Sequence, residues 1–304
     1  MVVTSLKNIF RRIYNAPYLL LTMAVFFWSV NSIVGRFMRL EVPPIALSFW
    51  RWAGASFFIF YFAWPHLKKD WPIIRRYLPL FLLLALTGVA MFNTLLYSGL
   101  QTTVALNGFL IQSTMPILIM LLSFFLFRDK ISHLQGVGVA LSLTGVVIVI
   151  ARGDIEVLRS LSLNRGDVLI FIAAVGYSVY SVLLRQRPTL HPLSFIAFTF
   201  VAGTLMLLPL YLWETFTVRA LTLNGPTLLT VAYVSIFPSI VSYFCYNRGI
   251  ELIGANRAGL FIHLNPVFGT IMAVLFLGET LFWFHGVGIV MIFIGILLTL
   301  QHTK

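Results

Sequence analysis

The polar side chains of this chain are few, and their spacing limits the chemistry open to them. Asn107 and Thr114 lie seven residues apart, as do Asn256 and His263. Seven residues is close to two helical turns, so each pair makes a polar stripe on one helix face. Gln112, Ser113 and Asn265 widen the arc beside two prolines, Pro116 and Pro266. Trp28, Asn31 and Ser32 form a second group, with Asn93, Thr94 and Tyr97, then Tyr177, Ser178, Tyr180 and Ser181, then Tyr243, Tyr246 and Asn247. Rings mixed with amides and hydroxyls suit an amphiphilic small molecule: the ring faces take its apolar part and the polar groups orient its head. The same groups can equally bond helix to helix. Tyr97 and Tyr246 also suit a membrane-interface belt, as do Trp50, Trp64, Trp71, Trp213 and Trp283. His263 can donate, accept, stack or titrate near neutral pH, which fits a substrate contact, a proton-coupling site or a plain bundle hydrogen bond.

Reaction chemistry finds no footing. Glycine-rich phosphate loops, H-E-x-x-H and G-x-S-x-G are missing, so the chain does not read as an enzyme. Cys245 is the only cysteine, which leaves no disulfide framework and no cysteine metal cluster. No cofactor or metal is expected. The nine acidic residues all fall in turns or at the ends of apolar runs, so a mid-membrane carboxylate relay is not expected either.

The elements that must position these groups are long apolar runs. Hydrophobic residues make up 60% of 304 positions and charged residues 10%; mean hydropathy is +0.95. A soluble domain needs more charge than this to cover its surface, so the expected solvent is lipid. Runs near 17–38, 45–64, 77–98, 103–127 and 132–151 are each long enough to cross a bilayer. After a polar segment at 152–165, five more follow near 166–185, 192–213, 226–248, 254–277 and 282–300. The first run is interrupted by Trp28, Asn31 and Ser32 and is too long for a signal core, so it reads as an uncleaved span.

Residues 99–145 return at 249–295 with a fixed offset of 150, pairing Gly99 with Gly249, Pro116 with Pro266 and Gly145 with Gly295. The repeat divides the chain into two five-helix units, 1–151 and 152–304. Five is odd, so the second unit must cross the membrane opposite to the first. Inverted repeats of this kind build alternating-access carriers. With the N-terminus inside, the inner segments hold Lys7, Arg11, Arg12, Lys68, Lys69, Arg75, Arg76, Arg128, Lys130, Arg185, Arg187, Arg248, Arg257 and Lys304. The outer segments hold only Arg36, Arg39, Arg152, Arg159, Arg165 and Arg219. The asymmetry places both termini in the cytoplasm and accounts for the net charge of +12 without a nucleic-acid partner.

Pro116 and Pro266, at matched depth in the two units, are expected as hinges, since a mid-helix proline frees a carbonyl and kinks the helix. Gly138, Gly145, Gly288 and Gly295 predict a close-packed seam inside the bundle or a dimer face. Arg51 is expected to snorkel to the outer interface, the alternative being an anchor for a carboxylate at a cavity mouth.

The stretch G-L-Q-T-T-V-A-L-N-G-F-L-I-Q-S-T-M-P-I-L at 99–118, and R-G-I-E-L-I-G-A-N-R-A-G-L-F-I-H-L-N-P-V at 248–267, resemble the EamA domain of the drug/metabolite transporter superfamily. The family's arginine near the start of the second span matches Arg51 in S-F-W-R-W; S-F-I-A-F at 194–198 has none. The family's acidic turn is Glu279 in the second copy and Asp129 in the first. The resemblance implies an all-α integral membrane protein of ten helices in two inverted EamA repeats. It also implies an exporter of small metabolites in a bacterial inner membrane. Exporters of aromatic amino acids, of the YddG type, offer the nearest comparison by length and layout. Amino acids, aromatic ones included, are therefore the expected substrates, with membrane lipid as the other partner and the oligomeric state left open. A broad exporter of drugs and a non-transporting scaffold or channel are the alternatives.

Overall fold

The structure, a computed structural model, describes residues 12–103, 105–159, 164–277 and 280–300. Lys7, Arg11, Glu279 and Lys304 lie outside the described residues. Among the described residues the regular structure is all helical, as the apolar runs require. The helices are α1 (Pro17–Phe37), α2 (Pro44–Arg76), α3 (Leu78–Thr102), α5 (His133–Ile150), α6 (Arg165–Leu183), α7 (Pro192–Thr217), α8 (Gly225–Ile253) and α10 (Trp283–Leu300). Between them, α4 comes in two pieces, α4a (Ala105–Gln112) and α4b (Met115–Phe127). α9 comes in three: α9a (Ala255–Gly259), a 3-10 turn (Leu260–Leu264) and α9b (Asn265–Leu277).

Local chemistry sets the starts. Proline occupies the first turn of α1, α2, α3, α4b, α7 and α8, where its missing N–H costs nothing. Ser132 with Gln135, and Asn164 with Asp167, form capping boxes on α5 and α6. Gly254 reverses the chain between α8 and α9a at φ +81°, a conformation a side chain would strain.

Among the described residues, nine helices are long and apolar enough to cross a membrane. The run expected as the ninth span is helical from Ala255 to Leu277 and is not among the nine. The expectation of ten spans is met by nine on this measure.

The offset of 150 reaches well beyond the stretch that reveals it in the sequence. It superposes the bounds of α4b on α9b and of α5 on α10. It also relates a π-helical turn at Leu86–Met91 in α3 to another at Ile236–Val241 in α8. Two related pairs, α5 with α10 and α2 with α7, pack antiparallel on each other. A Cβ on Gly138 would lie 2.6 Å from the Gly295 carbonyl, and one on Gly145 2.6 Å from that of Gly288. The glycines are thus the seam between α5 and α10, backbone against backbone. α2 and α7 cap each other: Ile45 N and Ala46 N donate to the Glu214 carboxylate (3.1 and 2.6 Å), and His191 N donates to Asp70 Oδ2 (2.9 Å). Each acid occupies the positive N-terminus of the partner helix.

The core is a cluster of rings at the centre: Trp28, Trp52, Tyr177, Tyr180, Tyr243 and Tyr246. Around it runs a shell of exposed apolar side chains such as Phe57, Tyr61, Phe62 and Leu205, the surface expected against acyl chains. Trp50, Trp64, Trp71, Trp213 and Trp283 are all exposed.

Candidate functional site

The two π turns face the centre and open the helix ladder there. Pro238 has no N–H, so the Val234 carbonyl loses its usual partner; Ser239 Oγ donates to it instead (2.7 Å). The Pro238 carbonyl in turn accepts from Trp28 Nε1 (3.0 Å) and Arg51 Nη2 (2.8 Å). At the related position, the Gly88 carbonyl accepts from the Tyr243 hydroxyl. Gly88 carries no Cβ because one would sit 2.3 Å from the Tyr180 ring. Extra-turn distortions of this kind recur at functional sites because they present carbonyls that a regular helix would consume.

Beside the ring cluster lies a pocket of about 10 Å³, lined by Trp28, Asn31, Ser32, Phe92, Asn93, Leu96, Gln112, Met115, Tyr177, Ile262 and Asn265. It has room for about one water molecule. Two polar layers close it, built from equivalent positions of the two units. Toward the end where α6 begins (the Asp167 end), the Tyr97 hydroxyl donates to Asn31 Oδ1 at 2.5 Å. Toward the other end (the Arg187 end), Tyr180 donates to Asn247 Oδ1 at 2.7 Å, and Ser181 and Tyr246 share a hydrogen bond of 3.1 Å. Asn31 corresponds to Ser181 and Tyr97 to Asn247 by the same offset of 150.

Arg51 strengthens only the first layer. Its Nη1 donates to Asn31 Oδ1 (3.1 Å) and to the Tyr97 hydroxyl (2.8 Å), and its Nε to Ser239 Oγ (2.7 Å). The guanidinium lies 4.8 Å from the Trp52 ring centre. Arg51 is 1% exposed. The expectation that it snorkels to the interface is therefore wrong. Acceptors from α1, α3 and the α8 π turn hold the head inside.

Beyond that layer the Asp167 end is latched. Thr103 Oγ1 donates to Asp167 Oδ1 at 2.5 Å, Asn107 Nδ2 lies 3.3 Å from the same atom, and Arg36 donates to the Leu100 carbonyl at 2.7 Å. The latch joins the α3–α4 junction to α6. The Arg187 end instead opens into a vestibule of about 620 Å³ bounded by Asp129, Arg185, Arg187, Asn247, Glu251, Asn256 and Arg257, among others. Arg185 pairs with Asp129 (2.6 Å) and Arg248 with Glu251 (3.0 Å) at its rim. His191, beside this rim, stacks on His66 at 3.6 Å. Burial first and the neighbouring His66 second hold its pKa below the usual histidine value, against the opposing pull of Asp70.

The helix breaks meet each other. Pro116 and Pro266 do not kink continuous helices: each opens the second half of a helix already broken, before Met115 in one unit and across Leu260–Leu264 in the other. A proline in a first turn interrupts no hydrogen bond. His263 sits in the second break, and its Nε2 lies 2.9 Å from the carbonyl of Ser113, its own counterpart in the first. Its Nδ1 is 2.6 Å from Ser142 Oγ on α5. His263 thus pins two breaks and does not line the pocket.

The sequence-expected residues therefore divide. Trp28, Asn31, Ser32, Asn93, Gln112, Tyr177 and Asn265 line the pocket. Tyr97, Tyr246 and Asn247 build its closing layers, and Tyr243 braces a π turn. Asn256 faces the vestibule. Asn107 belongs to the latch; Thr114 and Ser178 bond their own helices. Sequence reasoning missed Trp52, Ser239, Phe92, Met115 and the latch carboxylate. Pro238, inside an otherwise apolar run, was the available signal for the second π turn.

A family model, described as the EamA-like transporter family, matches residues 15–151 and again 164–301. The uncharacterized transporter YyaM of Bacillus subtilis is 30% identical over 283 residues, covering 92% of this chain and 92% of its own. YetK of the same organism, also an uncharacterized transporter, is 27% identical over 293 residues, covering 94% of this chain and 87% of its own. An uncharacterized transporter of Archaeoglobus fulgidus is 27% identical over 285 residues, with 93% and 96% covered. A solved crystal structure aligns at a TM-score of 0.75 and 18% identity over 93% of this chain and 96% of that one, a likeness of fold.

Proposed function

Since this chain belongs to the EamA-like transporter family, we propose that it is a ten-span carrier of small amphiphilic metabolites working by alternating access. Amino acids, aromatic ones included, are the substrate class that its pocket suits best. The observation that carries this reading is the pocket closed by two polar layers at equivalent positions of the two units. Exchange of those layers, one open and the other shut, moves a solute without ever opening a pore.

The lysine and arginine asymmetry supports a cytoplasmic vestibule, and on that reading this conformation faces inward with its outer end latched. Ring edges from Trp28, Tyr177 and Tyr246 flank the pocket and the amides of Asn31, Asn93 and Asn265 point polarity into it. A pocket of this size must widen before a metabolite enters, and the breaks before Met115 and at Leu260–Leu264 are where the helices can bend. Export from a bacterial cytoplasm across the inner membrane is the direction this topology serves.

Counterflow in proteoliposomes tests the reading. Trans-loaded phenylalanine or leucine should accelerate uptake of labelled amino acid, with saturation. Flux that never saturates points to a channel, and protein-independent flux across the whole amino-acid panel sinks the carrier.

A further inference from the structure

The centre of the molecule is short of negative charge. A guanidinium removed from water, as that of Arg51 is, needs a counter-charge or a dense set of acceptors. Here every partner is neutral: Asn31, Tyr97, Ser239 and the Pro238 carbonyl. Among the described residues no ion pair includes it. One N–H of its Nη2 also has no partner there, since only the bond to Pro238 is made from that atom.

The unpartnered atoms around it are of one kind. Trp52 Nε1, Asn93 Nδ2 and the Tyr177 hydroxyl are buried without a hydrogen-bond partner. Asn93 Nδ2 comes near the Tyr243 hydroxyl but not in hydrogen-bonding geometry. All three carry a proton to donate, the tyrosine hydroxyl being able to accept as well. Asn93 and Tyr177 line the pocket that Asn31 shares with Arg51. A buried donor left unmatched is costly, and several around one cation ask for an acceptor bearing negative charge.

We propose that Arg51 is the counter-charge for a substrate carboxylate. The carboxylate enters the pocket and takes the Tyr177 and Asn93 donors. It displaces Asn31 from Arg51, and the released Asn31 oxygen turns to the substrate's own donors. A single arginine matches a single negative charge, which favours a carboxylate over a phosphate ester. The second unit has no arginine in the related stretch at 194–198, so the anchor is one-sided and sits in the outer layer. Breaking the Asn31–Arg51–Tyr97 bonds on binding loosens that same layer, which couples occupancy to outward opening. This inference rests on the carrier reading and narrows its substrate to carboxylates.

The test uses three probes of one size: phenylalanine, phenylalaninamide and 3-phenylpropionate. Binding to the full-length protein is read by thermal shift and by tryptophan fluorescence, and exchange by counterflow. The wild-type chain should hold the two carboxylates at least about tenfold tighter than the amide, the worth of one charge-assisted hydrogen bond. Arg51→Gln should erase that preference. Asn31→Asp supplies an internal carboxylate beside the Nη1 that Asn31 already contacts at 3.1 Å. That variant should stay folded, lose the carboxylates and favour the amide, and it decides the matter even if Arg51→Gln does not fold. Equal binding of all three probes by the wild type, no binding of the carboxylates, or an Asn31→Asp variant that still prefers carboxylates overturns the anchor. Exchange without carboxylate preference leaves the carrier standing and removes the anchor; carboxylate binding without exchange does the reverse.

Discussion

Replacing Asp167 with asparagine should unlatch the outer end. Asp167 is 2% exposed and accepts from three donors: Thr103 Oγ1 at 2.5 Å, Asn107 Nδ2 at 3.3 Å and Asn164 N at 2.9 Å. The last is local to the α6 capping box and survives any opening. The first two cross from α6 to the α3–α4 junction, and an outward-facing molecule has to break them. A hydrogen bond to a charged group contributes about 1.5–3 kcal/mol and one between neutral groups about 1. The Asn107 contact is long and bonds weakly. Asparagine keeps a neutral bond from Thr103 at Oδ1 and places its amide at the Oδ2 position, a donor facing the Asn107 amide and the Asn164 N–H. The closed latch should therefore lose on the order of 1–3 kcal/mol, a shift of about five- to 150-fold toward opening. Leu96, 1% exposed and lining the pocket, is a suitable reporter as Leu96→Cys in a Cys245→Ser background. Labelling by an impermeant maleimide from the outer face should speed up by about an order of magnitude in Asp167→Asn. Labelling no faster than in the parent would refute the latch.

The histidine stack at the Arg187 end predicts a pH effect of definite sign. The pKa of His191 is lowered in the fold, so its contribution to stability is present above the unfolded value of about 6.5 and is lost as pH falls through the folded one. Melting temperature should drop on acidification in the wild type and drop less in His66→Gln; parallel curves would exclude the stack as the cause. In the glycine seam, Gly288→Val places atoms 2.7 Å from the Gly145 carbonyl and 2.4 Å from Val149. Overpacking of that kind costs about 1–3 kcal/mol, whereas Gly286→Ala, with nothing within 4 Å, should change stability by less than about 0.5. Equal melting temperatures for the two variants would mean the seam is not close-packed. His263→Phe leaves the Ser113 carbonyl without its donor and should cost about 1–3 kcal/mol in stability. The KM of exchange should hold steady. A raised KM at unchanged stability would instead make His263 a substrate contact.

The bundle was legible because lipid imposes long apolar runs and because glycine and proline mark the repeat at a fixed offset. The glycine seam was visible as a spacing, although only contact between Gly145 and Gly288 shows it joining α5 to α10. Pocket residues such as Trp28, Asn31, Tyr177 and Asn265 were readable because a polar or ring side chain inside an apolar run must face protein. That rule gives a direction without a depth, so it could not separate the pocket from the latch or the vestibule. Asn107 thus lies at the latch and Asn256 at the vestibule, a distinction the spacing does not carry. Arg51 was misread because its place near a helix start suggested an easy route to water. The π turn that holds it is made by Pro238, and its counterpart in α3 by a glycine whose absent side chain admits a ring; neither carries a periodic signal. Helix breaks hide for a like reason: Pro116 looks the same in sequence whether it kinks a helix or begins one.

A reversible bridge across the latch tests alternating access most directly. Cysteines at Thr103 and Asp167, whose side chains now touch, can be joined by oxidation in the Cys245→Ser background. Alternation requires that counterflow stop when the bridge forms and return on reduction, while the fold and inward accessibility persist. Counterflow that continues at full rate with the bridge verified would contradict it, since the outer layer would then never need to open.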